Sequence, residues 1–458
     1  MHMQEFADFH PPLGDLVIWQ AETTQPFPAG EWSVPSHDEE ARLRQAERKQ
    51  RARQPSRRWS ASAMPVSESL DFAAAESAFL RFIRSQRILR CGFSVEATAI
   101  RRYFVEAERV RLIRHDVGRF VARSELLACL LELFDTHTNP LQWPAYLFGA
   151  IRADEGSLLF MVFDHLLTDL QSQAVAVNVF SGLYREQVGR AAPTQPDGSP
   201  SARPGPVSRT FGPGSPELSS ATAYWSKFLA GGRCTLPLSL WQGPTPLLAS
   251  TPQRGEEIVL MGSALTKQFD DWCTGQGASL FPGLLAAAGL AARKLAGADA
   301  FRTMISVRTR PDTAAPTIGW FVNDVPVAFP LLADQDPAQI VMDAQQACLS
   351  GWRHRLVPYE QVMQSLPTTA KSEDFSWFSY LDFTLIPASD SRASADATLL
   401  MCPSVGAGVD LWFNRTSQGV LLYMRYPATD IVRQGLQLFA TTMAQAAEEL
   451  LADQASTC

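Results

Sequence analysis

The sequence predicts a mixed α/β protein made of two lobes. Its 458 residues, 46% of them hydrophobic, are more than one ordinary core needs. Helix and strand patterns alternate along most of the chain, and a stretch rich in Pro, Gly and Ser interrupts them. We therefore expect an N-terminal lobe at residues 1–190, a linker or long surface loop at 191–220, and a C-terminal lobe at 221–458.

The N-terminal lobe contains helix and strand patterns in turn. Residues 16–19 alternate in a way that suggests a short strand. Apolar positions recur near helical spacing at 67–90, and strand-like runs follow at 110–113 and 158–163. The last run is continuously apolar and reads as a buried strand. A helix is expected at 170–184, directly after a turn.

The C-terminal lobe continues the alternation. Helices are predicted at residues 224–229, 280–295 and 431–451, and strands at 412–414 and 420–424. The last two strands are expected to pair. The helix at 280–295 contains Pro282 and Gly283 and is interpreted as a buried core helix, because no apolar run reaches the roughly 18 residues of a membrane span.

A strongly basic run at residues 41–58 has almost no apolar stripe. A solvated helix or loop is the simpler interpretation. A docking patch for an acidic partner is the alternative.

Composition excludes several classes. The net charge of −7 argues against nucleic-acid binding, because phosphate contacts need a basic surface. The start of the chain lacks the basic-then-apolar order of a signal peptide, so no membrane association and a cytoplasmic location are expected. The seven cysteines contain no CxxC pair, which indicates reduced thiols. Dispersed histidines indicate no metal site, and the sequence has no nucleotide-binding or GxSxG motif.

The segment from Asp164 to Asp169 is the strongest candidate for chemistry. His165 follows the buried strand, and Asp169 lies four residues further on, before the predicted helix. An imidazole at the end of a strand can serve as a general base near neutral pH. The carboxylate can hold the turn or the ring in place. The six other histidines lie in segments without a comparable context.

Two further segments sharpen this hypothesis. Residues 306–311 read Ser-Val-Arg-Thr-Arg-Pro, and residues 318–323 read Ile-Gly-Trp-Phe-Val-Asn. Together with the His165 segment they resemble the condensation-domain family of nonribosomal peptide synthesis, within the chloramphenicol-acetyltransferase-like superfamily. The resemblance covers most of the chain from about residue 67. It implies two chloramphenicol-acetyltransferase-like lobes in a V-shaped pseudo-dimer with the site in the cleft.

The resemblance also implies roles for the residues of the His-His-x-x-x-Asp-Gly motif. His165 corresponds to its catalytic histidine and Asp169 to its mainly structural aspartate. That aspartate is expected to pair with an arginine, and Arg90 is the residue we predict. Asp164 replaces the first histidine and is expected to support the site. Leu170 replaces the glycine, so the turn could differ in shape.

Three residues are implied to line a substrate tunnel. Trp320 is expected as an apolar wall and Asn323 as a hydrogen-bond donor, with Ser306 nearby. Backbone amides near the motif are expected to meet the oxyanion.

The implied reaction is transfer of an acyl group from the phosphopantetheine thioester of a carrier protein to a hydroxyl or amine. We expect a freestanding, monomeric enzyme with no bound cofactor and no metal. Its partners would be a small-molecule acceptor and an acyl or peptidyl carrier protein, which could dock between Arg42 and Arg58 because such carriers are typically acidic. The Asp164 substitution favours an ester product.

Three alternatives stay open within the resemblance. A CoA-dependent acyltransferase has the same fold. A heterocyclisation domain would share the pattern formed by Asp164, Asp169 and Ser172, although such relatives generally lack the histidine. A non-catalytic module that recruits carriers is the third.

Overall fold

The computed structural model describes all residues except 25–32, 55–56, 67–68, 97–98, 155, 190–209, 233–235, 237–249, 312–315, 368–375, 387–394 and 456–458. The chain forms two compact units, each assembled from three stretches. The first unit comprises Met1–Ser208, Arg310–Phe321 and Leu385–Pro403, and the second comprises Arg209–Thr309, Val322–Thr384 and Ser404–Cys458. Most of the predicted linker at 191–220 lies outside the described residues, and its last five residues begin a helix at Pro216.

The described residues contain fifteen strands and ten α-helices. The strands are β1 His2–Glu5, β2 Asp15–Thr23, β3 Trp59–Val66, β4 Cys91–Val95, β5 Ile100–Phe104, β6 Val110–Arg119, β7 Tyr146–Arg152, β8 Ser157–Asp164, β9 Gln253–Gly262, β10 Ala300–Arg308, β11 Val322–Pro330, β12 Trp377–Asp382, β13 Thr398–Met401, β14 Asp410–Thr416 and β15 Gly419–Pro427. The helices are α1 His37–Arg51, α2 Phe72–Ser85, α3 Arg123–His137, α4 Leu170–Gln187, α5 Pro216–Ala230, α6 Ser263–Gly275, α7 Leu280–Ala296, α8 Pro337–Trp352, α9 Tyr359–Ser365 and α10 Asp430–Ala455.

The first unit is built on a seven-stranded sheet in the order β1-β13-β3-β8-β7-β2-β6. Its neighbouring strands are antiparallel except for the parallel pair β1–β13. Strand β8 pairs with β3 and β7, and all eight of its residues are buried. A strand covered on both faces reads as a continuous apolar run, which is why the sequence at 158–163 shows no alternation.

Helices α2 and α4 pack together in this unit and share an aromatic stack with the sheet. The ring of Phe79 lies 4.7 Å from that of Phe148 on β7 and 4.3 Å from that of Phe180 on α4. Both helices begin with an aspartate cap: Asp71 accepts from Ala73 N and Ala74 N, and Asp169 accepts from Ser172 N. The cap and the stack together fix where α4 starts, and therefore where the preceding turn ends.

The second unit contains a six-stranded sheet in the order β11-β10-β12-β14-β15-β9. Helix α7 is buried along most of its length, as predicted for a core helix. Gly283 permits its close approach to α6, because a Cβ there would stand 2.4 Å from Cys273 Sγ. The predicted pairing of the strands at 412–414 and 420–424 is confirmed by the antiparallel register of β14 and β15.

The basic run at 41–58 differs from the prediction of a solvated segment. Most of it is helix α1, which opens with a capping box between Ser36 and Glu39. Leu43 and Ala46 are fully buried on its inner face, and Arg42 is buried beside them. The run therefore has a core-facing side made of few apolar residues and one arginine.

Candidate functional site

The turn that carries His165 lies between β8 and α4. Its backbone is held at the start by Asp164, whose carbonyl accepts from Leu167 N at 2.9 Å and whose Oδ1 accepts from Leu166 N at 3.0 Å. The His165 N–H donates to the Arg58 carbonyl at 2.7 Å. From Asp164 to Asp169 every residue is buried except His165, which is partly exposed. The turn thus presents one imidazole from an otherwise enclosed segment.

The carboxylate of Asp164 forms an ion pair with Arg42 of α1, through Oδ2 and Nη2. Both side chains are buried. Burial raises the pKa of Asp164, while the Arg42 charge and the Leu166 amide act in the opposite direction. The sequence-based prediction that Asp164 supports the site named no partner, and Arg42 supplies one.

Asp169 lies at the other end of the turn and connects it to a distant segment. Its Oδ1 accepts from Ser172 N at 2.6 Å, and its Oδ2 accepts from Phe321 N at 2.8 Å. Asp169 also forms an ion pair with Arg310, whose Nη2 lies 3.7 Å from Asp169 Oδ1. A single carboxylate therefore caps α4 and holds residues 317–321 against it.

The predicted Asp169–Arg90 ion pair is wrong. Arg90 donates from Nη1 to the Val105 carbonyl at 2.8 Å, and Val105 N donates back to the Arg90 carbonyl at 2.7 Å. Arg90 therefore closes the connection that follows β5. The arginine that serves Asp169 is Arg310, within the Ser-Val-Arg-Thr-Arg-Pro run that the sequence had already singled out.

Arg310 and Ser172 form a buried polar cluster beneath the turn. Arg310 Nη2 donates to Ser172 Oγ at 2.6 Å, and Nη1 donates to the Thr317 carbonyl. Ser172 Oγ accepts from Gly319 N at 3.1 Å and donates to the Gly319 carbonyl at 2.7 Å. The Arg310 guanidinium also covers the ring of Phe321 at 4.1 Å. These contacts fix the backbone on both sides of Trp320.

Trp320 is thereby placed beside His165. Their ring centroids are 4.6 Å apart with the planes at 81°, an edge-to-face contact. Both side chains are partly exposed. The wall predicted from the sequence is therefore a direct neighbour of the predicted catalytic imidazole.

Asn323 and Ser306 belong to the second unit and serve its internal structure. Asn323 Nδ2 donates to the carbonyls of Arg355 and Val357, at 2.9 and 2.7 Å. Contrary to its predicted role as a donor to substrate, its amide hydrogens are both used by the backbone. Ser306 Oγ donates to Asp324 Oδ1 at 2.8 Å across the β10–β11 pair.

The described part of the chain contains no group of three or more His, Cys, Asp or Glu residues suited to a metal ion. Its cysteines are free thiols, at Cys91, Cys129, Cys273, Cys348 and Cys402. None of the helices among the described residues is both long and apolar enough to cross a membrane.

Comparison with known proteins now identifies the family. Residues 50–392 match the family model of the condensation domain. The chain belongs to the condensation-domain family. This confirms the resemblance drawn from the motifs, and the two sheet-containing units agree with the two α/β lobes that it implied.

Similar members of the condensation-domain family include acyltransferases of mycobacteria. The chain is 27% identical to acyltransferase PapA3 of Mycobacterium tuberculosis over 326 residues, covering 68% of this chain and 67% of the relative. It is 27% identical to trehalose-2-sulfate acyltransferase PapA2 of Mycobacterium bovis, covering 67% and 66%. The solved structure of a PapA2 acyl transferase superposes with a TM-score of 0.79 at 19% identity, covering 98% of this chain and all of that one. The protein is an acyltransferase.

Proposed function

We propose that this acyltransferase moves an acyl group from a phosphopantetheine thioester to a hydroxyl group, with His165 as general base. The observation that carries the proposal is the turn between β8 and α4. Asp164 and Asp169 are buried at its ends, and His165 between them is partly exposed against Trp320. An imidazole held in this way can reach a substrate while its backbone stays fixed.

The proposed reaction follows from the imidazole's ability to hold one proton. His165 takes the proton of the acceptor hydroxyl as the hydroxyl oxygen attacks the thioester carbonyl. The C–O bond forms, and the tetrahedral intermediate then expels the thiolate as the C–S bond breaks. The proton passes from the imidazolium to the thiolate, so the base is regenerated. General-base assistance of this kind contributes roughly 10²- to 10⁴-fold.

An ester product is supported by the relatives. One of them is named for acyl transfer to trehalose 2-sulfate, and a sugar offers hydroxyls as its acylatable groups. The neighbouring Trp320 ring can pack against a sugar ring or an acyl chain, since indole is apolar over most of its surface. The alternative product is an amide, and an assay with both hydroxyl and amine acceptors distinguishes it from the ester.

A carrier-bound donor is supported by the basic, exposed face of α1, where an acidic carrier protein could dock. Arg48 and Arg51 are exposed there. Burial lowers the pKa of Lys49, and the nearby charges of Arg42 and Arg58 lower it further, which shows how closely the cations of this segment lie. An acidic carrier would meet this surface next to the segment whose carbonyl holds His165. CoA, which presents the acyl group on the same phosphopantetheine arm, is the alternative donor.

The heterocyclisation alternative gains no support from its sequence pattern. Asp164, Asp169 and Ser172 are all buried, and each is hydrogen-bonded within the fold. Their spacing is explained by the support of the turn. His165, which such relatives generally lack, is the partly exposed residue.

The test of the proposal is an intact-mass assay with octanoyl thioesters of a carrier protein and of CoA as donors. Trehalose and glycerol serve as hydroxyl acceptors and leucine as an amine acceptor. We expect ester formation by the wild type and a loss of about 10²- to 10⁴-fold in His165→Ala. The matched control is His115→Ala, an exposed histidine on β6, which should retain wild-type activity.

Equal rates for His165→Ala and wild type would refute the general-base role. Transfer to leucine alone would show that the product is an amide and not an ester. Transfer from octanoyl-CoA alone would show that the donor is CoA and not a carrier protein. Carrier binding without transfer to any acceptor would favour a module that only recruits carriers.

The docking surface has a separate test. The double variant Arg48→Glu/Arg51→Glu should raise the apparent KM for the carrier-bound donor and leave that for an N-acetylcysteamine thioester unchanged. Lys267→Glu, an exposed site in the second unit, is the charge-reversal control. Equal effects on both donors would refute the docking surface. The monomeric state and the cytoplasmic location stay predictions.

A further inference from the structure

The His165 turn is held from outside by two contacts from one stretch of chain. Arg42 on α1 reaches Asp164 with its side chain, and Arg58, just before β3, reaches the His165 N–H with its carbonyl. Strand β3 then pairs with β8 so that Trp59 lies opposite Asp164. Residues 37–58 therefore contact the two residues at the start of the turn, one through a charge and one through the backbone.

Of these two contacts, the ion pair between Arg42 and Asp164 is the one that a side-chain substitution can remove. Asp164 has no exposed surface, and the Arg42 side chain is 6% exposed. An ionised carboxylate enclosed in this way needs a partner, because removing one member of a buried pair leaves an uncompensated charge. Asp164 also accepts from Leu166 N, so a movement of its carboxylate would be transmitted to the backbone on both sides of His165.

Arg42 is itself held rigidly by the helix that carries it. Helix α1 is capped by Ser36 and Glu39, and Glu39 Oε1 pairs with Arg102 Nη1 on β5 at 3.1 Å. Leu43 and Ala46 anchor the same face in the interior. The guanidinium of Arg42 is thus carried by a helix anchored in the core. Its ion pair with Asp164 links the His165 turn to that helix.

We propose that Arg42 is a positioning residue for acyl transfer, which acts through Asp164 to set the orientation of His165. The inference rests on the proposed function, because it assumes that His165 takes part in the reaction. In this proposal Asp164 holds the turn through its ion pair with Arg42 of α1. This role also separates Arg42 from the exposed arginines of the same helix.

The test compares steady-state kinetics of the full chain with octanoyl-carrier protein as donor and trehalose as acceptor. Arg42→Met should lower kcat about 10- to 100-fold, the cost of misplacing a catalytic group by about an ångström, with the KM of both substrates within about twofold. Arg42→Lys keeps the charge and should fall between. Arg44→Met is the matched control, since Arg44 lies on the same helix and contacts Glu40, Glu47 and the Glu96 carbonyl rather than the turn.

The double variant Arg42→Met/Asp164→Asn separates positioning from folding. It removes the unpaired charge while the amide oxygen can still accept from Leu166 N, so kcat should recover about tenfold relative to Arg42→Met. Where Arg42→Met does not fold, the double variant and Arg42→Lys provide the kinetic comparison. An unchanged kcat in correctly folded Arg42→Met would refute the inference, as would a change confined to KM or to the melting temperature.

Failure of this inference is distinguishable from failure of the proposed function. Inactive His165→Ala together with fully active Arg42→Met refutes the positioning role alone. Fully active His165→Ala refutes the proposed function, whatever the result for Arg42.

Discussion

Replacing Arg310 with methionine removes the charge from the cluster beneath the His165 turn. The variant loses the hydrogen bonds to Ser172 Oγ and to the Thr317 carbonyl, and the cation over Phe321. Methionine retains most of the apolar stem, so the change isolates the polar contacts. Asp169 keeps two backbone donors, at Ser172 and Phe321, and is not left entirely without partners.

The expected loss of stability can be worked out from these contacts. Each hydrogen bond from a charged donor contributes about 1.5–3 kcal/mol, and the contact with Phe321 adds about 2 kcal/mol because both residues are buried. Both side chains of the Arg310–Asp169 pair are at most 3% exposed, so solvent screening is small. Contributions within one hydrogen-bond network are not additive, so the sum of these contacts is an upper limit, and breaking a buried pair on one side costs about 3–5 kcal/mol. We therefore expect Arg310→Met to lower the unfolding free energy of the first unit by about 3–5 kcal/mol.

Urea unfolding followed by circular dichroism and tryptophan fluorescence measures this loss. The control is Arg111→Met in the same unit, which breaks an exposed pair with Glu22 and should cost less than about 1 kcal/mol. Because two units need not unfold together, the two probes should be compared before a single transition is assumed. A loss for Arg310→Met no larger than that for the control would refute the assignment of Arg310 as the support of the turn.

Other positions give further expected outcomes. Arg90→Met should leave acyl transfer within a few-fold of wild type in the intact-mass assay, because Arg90 contacts Val105 and not the turn; a loss as large as that expected of His165→Ala would contradict this. Burial raises the pKa of Cys273 and Cys348 to about 12, so both should resist alkylation at pH 8 until urea is added, as peptide mapping would show; rapid labelling of the native protein would disprove it. Gly149→Ala should lower the urea midpoint by the equivalent of about 1–3 kcal/mol, because its Cβ would stand 2.1 Å from the Phe160 ring; an unchanged midpoint would show that the ring can move.

Much of the fold was predictable because periodicity reports burial. Strands β8 and β15 and helices α4 and α7 all appear in the sequence as apolar runs or helical repeats, and the structure has them within a few residues of the predicted bounds. Helix α1 has no such apolar pattern. Its inner face relies on a buried arginine, and a charged residue gives no apolar signal.

The turn that carries the candidate site was predictable from the sequence, and the partners of its carboxylates were not. His165 and Asp169 are marked by a local pattern of strand, turn and helix. The partner of Asp169 depends on which distant segment reaches it, and two arginines with motif-like surroundings were available. The structure brings Arg310 into the first unit with residues 317–321, whereas Arg90 is used by the connection after β5. Tertiary partners of this kind leave no periodic trace in one sequence.

Leu170 shows how a departure from the family pattern can be neutral. The family has glycine at this position, which is why a different turn shape was considered, yet Leu170 is the first residue of α4, and its predecessor Asp169 is an extended N-cap with φ −111° and ψ 177°. Among the described non-glycine residues only Arg53 has a positive φ. A leucine is therefore accommodated without strain, and the shape of the turn does not depend on a glycine.

The spacing of Asp164, Asp169 and Ser172 can now be explained without ring-forming chemistry. These side chains meet two other parts of the first unit: Asp164 meets Arg42 of α1, whereas Asp169 meets Phe321 N and Ser172 meets Arg310 and Gly319 of one distant segment. Buried polar groups must be paired, and here the pairing holds two distant stretches of chain against one turn. Exposed residues in this pattern would indicate catalysis, but these three are buried, and their spacing is explained by the support that they give to the fold. His165 is the partly exposed titratable residue of the turn. Chemistry at this site is therefore expected to respond to the imidazole directly and to the three buried residues only through its position.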